Sequence, residues 1–265
     1  MLTRQLWAAG LILFGASLQT PVQAQWIGYP TPGAPRTANG KVNLSGPAPK
    51  YKDGKVDLSG TWEADAGFFP DLTKDLKPGE VEMLPWAKAV QQERELSDHQ
   101  NDLLSECMPP GVPRINTSSA TMPHPFKVVQ TPTLVVLLYE TSANQTFRQV
   151  FLDGRKLPND PQPSWLGYSV GRYENNGASL VVETTGFNGL AWLDTAKGHP
   201  QTDTAKVTER FSRPDFGHLL IDVTIDDAKA YTKIWNARIK VHMLPDADLI
   251  ETFCENEKDH GHKHF

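Results

Sequence analysis

The sequence predicts a mainly β protein, either an antiparallel up-and-down β-barrel of the calycin type or a strongly curved sheet. Nine short runs rich in Val, Ile, Leu, Thr and aromatic residues follow residue 122. Most connections between them have hairpin length, and no strand–helix–strand alternation is present. A sheet of many sequential strands usually closes, because closure removes its exposed edges. A two-sheet sandwich is the alternative.

The strand candidates can be read in chain order. The nine runs are HPFKVVQ, TLVVLLYE, TFRQVFLD, WLGYSVGRYE, ASLVVETTGF, AKVTERFSR, HLLIDVTID, YTKIWNARIKVHM and DLIETFC. DLSGTW, at 57–62, is expected to add an early strand, and its GTW resembles the opening motif of the lipocalins.

The first 24 residues have the pattern of a signal peptide. Arg4 precedes the apolar core LWAAGLILFGASL, and Val22-Gln23-Ala24 fits a cleavage site before Gln25. We therefore expect a periplasmic or secreted protein. No later run approaches the roughly 20 apolar residues that a membrane-spanning helix needs.

Three further segments complete the predicted organisation. Residues 25–56 are rich in Pro and Gly, which predicts an extended leader, and the near-repeat GKVNLSG (40–46) and GKVDLSG (54–60) predicts two similar turns. The segment 80–106 predicts one long helix or two short ones, ended by CMPPGVPR. We expect a single domain over 57–259, with the helical segment packed on the barrel or plugging one end, and a His-rich tail at 260–265.

Charge and cysteine content limit the partners. The net charge is -5 and no basic block occurs, so nucleic acid is not an expected partner. The two cysteines, Cys107 and Cys254, form an even pair in an exported chain, which predicts one disulfide. The sequence does not indicate an oligomeric state.

GYSVG, at 167–171, matches the G-x-S-x-G pattern of a serine-hydrolase nucleophile elbow. The pattern needs a buried strand before Ser169 and a helix after it, whereas a proline-rich loop precedes this one and the hairpin signal NNG follows. As a strand, the stretch places Gly167, Ser169 and Gly171 on one face, which predicts close packing of the helix or leader there.

Ionisable residues lie on strand faces that otherwise look buried. Glu209 shares a face with Val207 and Phe211, and Arg148 shares one with Val150. Buried charges are rare unless they are paired or functional, so they are candidates for the lumen. We expect Glu183 and Glu209 as acid or base and Arg148 as an anion stabiliser, with Lys233 and Glu140 as ligand contacts. Pairing within the wall or at strand ends is the alternative.

The longest connection, NGLAWLDTAKGHPQTD, combines Trp192, Asp194 and His199. An aromatic platform beside an acid and a base suits a lid at a barrel mouth, and a packed loop is the alternative. Tyr168 and His124 are additional ligand-binding candidates. The eight histidines form no metal-binding motif within the strands, so no metal and no cofactor is predicted.

Several segments together resemble a broad group of exported bacterial proteins of unassigned function. They are RQVFLDGRKLP, WLGYSVGRYE, ASLVVETTGFN, WLD…GHP, TERF, TIDDAKAYTK and CEN, spread over about residues 57 to 259. The resemblance implies a single domain with paired Cys107 and Cys254, and it implies no activity.

These observations support three hypotheses about function. The first is a barrel that binds a small aromatic or polyhydroxylated molecule and acts on it by metal-free acid–base chemistry of the lyase, isomerase or hydratase type. The second is a non-catalytic carrier or a structural envelope protein. The third is a serine hydrolase that uses Ser169.

Overall fold

A closed nine-stranded β-barrel forms the body of the protein. The computed structural model describes residues 26–27, 29–65, 70–97, 100–117, 125–140 and 146–251. The barrel strands are β2 Gly60–Ala64, β3 Phe126–Gln130, β4 Leu134–Tyr139, β5 Thr146–Phe151, β6 Tyr168–Glu174, β7 Ser179–Thr185, β8 Lys206–Ser212, β9 His218–Asp226 and β10 Trp235–Met243. Two short strands, β1 Trp26–Ile27 and β11 Ala247–Asp248, pair with each other outside it. The predicted barrel is confirmed, and the sandwich alternative is wrong.

Neighbouring strands pair in sequence order around the barrel, and β10 closes it against β2 and β9. Every pair is antiparallel except β5 with β6, which is parallel. An odd number of strands requires this, because strand direction must return to its starting sense after one full circuit. The predicted purely antiparallel order is therefore wrong at one pair, and we call that pair the seam.

The seam is short. Only Val150 with Ser169 and Phe151 with Val170 are in register there. Because the strands run in the same direction, the chain must return along the barrel through 152–167 before β6 begins. The proline-rich sequence GRKLPNDPQP provides this return, and its length follows from the parallel pairing.

Alternating residues of each strand fill the interior. In β8, β9 and β10 the inward residues include Phe211, Ile221 and Trp235, all nearly inaccessible to solvent. A cavity among Leu58, Val135 and other apolar side chains has a volume of about 10 Å³, which is at the lower limit for one water molecule. This apolar half of the lumen therefore holds side chains rather than a ligand.

The predicted helical segment forms two short helices, which was one of the two expected arrangements. Helix α1 spans Pro85–Leu96, with a proline in its first turn where a missing N–H costs nothing, and a 3-10 helix spans Leu103–Glu106. Ala87 and Gln91 are the buried residues of α1. Gln91 donates to the Lys197 carbonyl oxygen at 3.2 Å, so α1 packs on the loop at one barrel end.

The leader contains two copies of one structural unit, at 35–46 and 49–60. Equivalent residues make equivalent contacts: isolated bridges join Arg36 to Val42 and Lys50 to Val56, and turn hydrogen bonds join Thr37 to Lys41 and Tyr51 to Lys55. The predicted pair of similar turns is confirmed. The copies differ in burial, because Leu58 of the second unit is 1 % exposed whereas Leu44 of the first is only partly buried.

Candidate functional site

Arg148 is the centre of a polar network inside the barrel. Its Nε donates to Oγ of Ser169 at 3.0 Å, and its Nη2 donates to Oγ1 of Thr184 at 2.7 Å and to Oε2 of Glu209 at 2.5 Å. The four residues come from β5, β6, β7 and β8, which are neighbours in the barrel. Arg148 is 2 % exposed and Glu209 is fully buried, so this ion pair has no contact with bulk water.

Asn116 and Tyr139 extend the network to the barrel end. The Asn116 side chain donates to Oε1 of Glu209 at 2.6 Å, and the Tyr139 hydroxyl donates to Oδ1 of Asn116 at 2.8 Å. Asn116 belongs to a buried 3-10 helix, Arg114–Asn116, that plugs this end. Both carboxylate oxygens of Glu209 are thus engaged, one by a neutral amide and one by a guanidinium.

The network keeps its charges fixed. Burial alone lowers the pKa of the Arg148 guanidinium, but the adjacent Glu209 carboxylate and Tyr139 outweigh burial and raise that pKa overall. Burial raises the pKa of the Tyr139 hydroxyl far above its ordinary value. Arg148 therefore stays charged and Tyr139 stays neutral at neutral pH, so both are hydrogen-bond donors.

One donor in the network is not used. Nη1 of Arg148 is buried and has no hydrogen-bond partner among the described residues. A buried donor without an acceptor costs about 1–3 kcal/mol, and a charged one costs more. The other N–H groups of this guanidinium donate to Ser169, Thr184 and Glu209, so Nη1 is the part of Arg148 that can still accept a further partner.

A cleft opens beside Arg148 where the two seam strands diverge. It has a volume of about 390 Å³. Arg148 and Ser169 are among its lining residues, as are Phe147 and Gln149 of β5 and Trp165 from the return connection. The cleft thus lies on the outer surface beside the buried network, and we call it the seam cleft.

Aromatic side chains form the outer wall of the seam cleft. The rings of Phe151 and Tyr168 stack with centroids 5.3 Å apart, and the Arg155 guanidinium lies 3.9 Å from the Phe151 ring. Arg155 also donates to the Tyr168 hydroxyl at 3.0 Å. Tyr168, a predicted ligand contact, therefore lines the cleft, and its ring is held in place by a cation.

Ser169 does not have the surroundings of a hydrolase nucleophile. It lies within a strand, and its hydroxyl contacts Arg148 and Thr184, neither of which is a general base. Gly171 gives room to other side chains, because a Cβ there would lie 2.8 Å from atoms of Leu152 and Val150. The expectation that the helix or leader packs on this strip is wrong, since the strip faces the lumen.

Asp194 and His199 meet, as their shared loop suggested, but apart from Arg148 and Glu209. Nδ1 of His199 lies 2.7 Å from Oδ2 of Asp194, and both residues are buried. Asp194 also accepts backbone N–H groups from Leu72, Lys197 and His199 at 3.2–3.4 Å. This set of contacts is that of a packed loop anchor, which was the alternative to a lid.

Trp192 anchors the same loop against two arginines. The Arg94 guanidinium lies 4.5 Å from the Trp192 ring, and that of Arg114 lies 5.8 Å from it. Arg114 is itself paired with Asp102 and donates to Thr195 at 3.0 Å. These side chains join α1, the plug and the loop, so Trp192 lies in a packed junction.

Two other predicted residues lie away from the network. Glu183 is on the outer face of β7, paired with Lys206 at 2.6 Å and Arg172 at 3.0 Å, so it does not meet Glu209 in the lumen. The face it shares with Val181 is the outer one. Lys233 precedes β10 and pairs with Glu82 at the surface at 2.7 Å. Both belong to the alternative of ion pairs in the wall or at strand ends.

Glu140 follows β4 and is 6 % exposed. The inward face of β4 is that of Val135, Leu137 and Tyr139, and Leu134 and Val136 lie on the outer face. Oε2 of Glu140 accepts the Ile250 N–H at 2.9 Å. His124 and Cys254 lie outside the described residues, so the ligand role of His124 and the pairing of Cys254 with Cys107 stay predictions.

Sequence reasoning missed Asn116, Tyr139 and Phe147. Tyr139 ends a run in which both faces are apolar, so alternation did not show which face is inside. Asn116 lies in the irregular segment after CMPPGVPR, where no periodicity exists. Phe147 precedes Arg148 on β5 and therefore lies on the outer face of that strand. Its position next to a predicted buried charge was the available signal.

No known family model matches the chain, and no curated protein is significantly similar to it. Within the part of the chain that the structure describes, no three His, Cys, Asp or Glu side chains are grouped to hold a metal ion. No helix among those residues is long and apolar enough to cross a membrane. Fold and site together define a closed barrel with a buried ion pair and its polar network beside a surface cleft.

Proposed function

We propose that this protein is an exported barrel that binds a small organic ligand in the seam cleft, with Arg148 as the anchoring donor. The observation that carries the proposal is the unpartnered Nη1 of a buried arginine that lines a cleft of about 390 Å³. Ligand sites are typically concave and largely apolar, with a few polar groups that fix orientation. The surrounding side chains shield Nη1 from solvent, so a ligand reaches it only after a small shift of the residues at the cleft floor.

The charge balance of the network indicates the kind of ligand. Glu209 already neutralises Arg148, so an anionic ligand brings an additional uncompensated charge to a dry site. A neutral acceptor such as an amide, ketone or ester carbonyl satisfies Nη1 without that cost. The stacked Phe151 and Tyr168 rings favour an aromatic body next to the carbonyl.

Binding is better supported than acid–base catalysis. Glu209 is fully buried, is paired with Arg148 and is not among the residues that line the seam cleft, and Glu183 lies on the opposite side of the wall. A general base needs a free lone pair within reach of the substrate. The export signal in residues 1–24 supports a periplasmic or secreted location, and mass spectrometry of the mature protein is expected to find Gln25 at its N-terminus.

Binding of benzamide, compared with benzylamine, tests the proposal. The two probes share the ring, but only benzamide carries a carbonyl acceptor. We expect benzamide to perturb the indole NMR signal of Trp165 and benzylamine not to do so. Gln149→Trp, which fills the cleft from an exposed position, is expected to abolish the effect, and Arg172→Met, a surface arginine on β6, is expected to preserve it. Equal responses to both probes contradict the proposal.

A further inference from the structure

A second cleft lies beside the seam cleft on the outer surface. It has a volume of about 450 Å³ and is lined by Leu138, Glu140 and Ile250 among others. Thr146 and Phe147 line both clefts. The two spaces are therefore adjacent, and the Phe147 ring, 58 % exposed, lies between them.

The two clefts have opposite polar groups. The seam cleft has the Arg148 guanidinium, with one unused donor. The second cleft has the Glu140 carboxyl, which is 6 % exposed and receives one backbone N–H, from Ile250. A carboxylate has about four lone-pair positions, so Glu140 can accept further hydrogen bonds beyond the one that the described residues supply.

The spacing of these groups follows from the strand register. Arg148 is directly opposite Leu137 on β4, and Glu140 comes three residues after Leu137. At about 3.3 Å per residue the two positions are separated by roughly 10 Å along the sheet. The space between them is bordered by the side chains of Leu138 and Phe147, which are apolar and partly exposed.

We infer that the ligand of the seam cleft is an elongated molecule that crosses Phe147, with a neutral carbonyl at Arg148 and a protonated amine at Glu140. This inference rests on the proposed function, since it extends the same site. An aryl amide with an aliphatic amine tail is the simplest member of the class. Burial raises the pKa of the Glu140 carboxyl, with the Ile250 N–H opposing the shift, and a cation beside it favours the charged form.

Two matched probes test the inference: 4-(4-aminobutyl)benzamide and 4-butylbenzamide, which differ only in the terminal amine. We expect the amine to strengthen binding to the wild-type protein about tenfold, as a charge-assisted hydrogen bond does. Glu140→Gln is expected to remove this preference, so that the variant binds the two probes with similar affinity. Glu82 is a surface carboxylate on another face, so Glu82→Gln is the matched control. This variant is expected to keep the preference for the probe with the amine.

The outcomes separate this inference from the proposed function. Equal affinity of the wild-type protein for both probes overturns the inference alone, because the carbonyl end still binds. A preference for the amine that persists in Glu140→Gln overturns it as well. Failure of both probes and of benzamide to bind overturns the proposed function together with the inference.

Discussion

Arg148 and Glu209 form an ion pair inside the closed barrel, with Nη2 of the arginine 2.5 Å from Oε2 of the glutamate. Neither charge reaches solvent, so each depends on the other and on the hydroxyl and amide groups around them. Charges taken out of water are costly unless they are paired, and the loss of one partner is worse than the loss of both.

The first prediction concerns this dependence. Arg148→Met alone is expected to lower the free energy of unfolding by about 3–5 kcal/mol, because it leaves the buried Glu209 carboxyl without its cationic partner. The double variant Arg148→Met with Glu209→Gln is expected to lose less than that single variant, since Gln still accepts from Asn116. Urea unfolding at neutral pH measures both. If the losses of the two single substitutions add up in the double variant, the two side chains are not coupled and the prediction is wrong.

The loop anchor gives a second prediction. Asp194→Asn replaces a carboxylate that accepts three backbone N–H groups and His199 with an amide that has a single acceptor oxygen. We expect a loss of about 2–3 kcal/mol in unfolding free energy. Asp203→Asn, on the same loop but exposed and paired with Lys229, is expected to leave stability unchanged. Similar losses in the two variants argue against the anchor.

The repeated leader unit supplies an internal control for the third prediction. Leu44 and Leu58 occupy equivalent positions, but only Leu58 is fully buried in the barrel core. Leu58→Ala is expected to lower the unfolding free energy by about 2–5 kcal/mol, and Leu44→Ala by clearly less. Thermal and urea unfolding of the two variants provide the comparison. A larger loss at Leu44 refutes the assignment of the second unit to the core.

Glu140 provides a fourth prediction, on pH. Its folded pKa is raised by burial above the ordinary 4.5, so the folded state binds more protons and stability falls as pH rises through that window. Glu140→Gln removes this penalty, so the variant is expected to gain stability relative to the wild type as pH rises above about 4.5.

Glu183→Gln is the control of opposite sign. The hydrogen bond from Lys206 lowers the pKa of Glu183, so its stabilising effect is present above the ordinary pKa and is lost as pH falls through the folded value. This variant is expected to be less stable than the wild type at neutral pH and to converge with it in acid. Unfolding curves from pH 3 to pH 8 that move the same way for both variants contradict the two assignments.

The fifth prediction is the disulfide between Cys107 and Cys254. A bond that closes so long a loop is expected to contribute roughly 3–5 kcal/mol by restricting the unfolded chain. The mass of the exported protein is expected to rise by about two hydrogens on reduction, and Cys107→Ser is expected to lower stability by the same amount as reduction does. Two alkylatable thiols in the unreduced exported protein are evidence against the bond.

The sequence allowed the barrel and its two central charges to be predicted because strict alternation was visible in those strands. In AKVTERFSR, polar Thr208 and Arg210 mark the outer face, so Glu209 had to be inside. In TLVVLLYE no polar residue marks either face, and the inward position of Tyr139 was missed for that reason. In ASLVVETTGF the outer face carries Val181, which is apolar and buried, so this face resembles a core face. Glu183 was predicted to lie inside for that reason.

The seam could not be found from local patterns. A parallel pair leaves no mark in the strands themselves, and the long GRKLPNDPQP connection was read as one more separator. Its length indicates a parallel pair only when the barrel is known to be closed and its strands are counted. The seam cleft beside Arg148 depends on the closure of the barrel and on its odd number of strands. The sequence therefore predicted part of the polar network but not the cleft beside it.

The number of strands therefore has a consequence for descent. A relative that had gained or lost one strand would have an even count, and its barrel would be able to close with every pair antiparallel. It would then have no need of a seam, and the cleft beside Arg148 would close with it. The cleft that we propose for ligand access therefore depends on the odd strand number of this barrel.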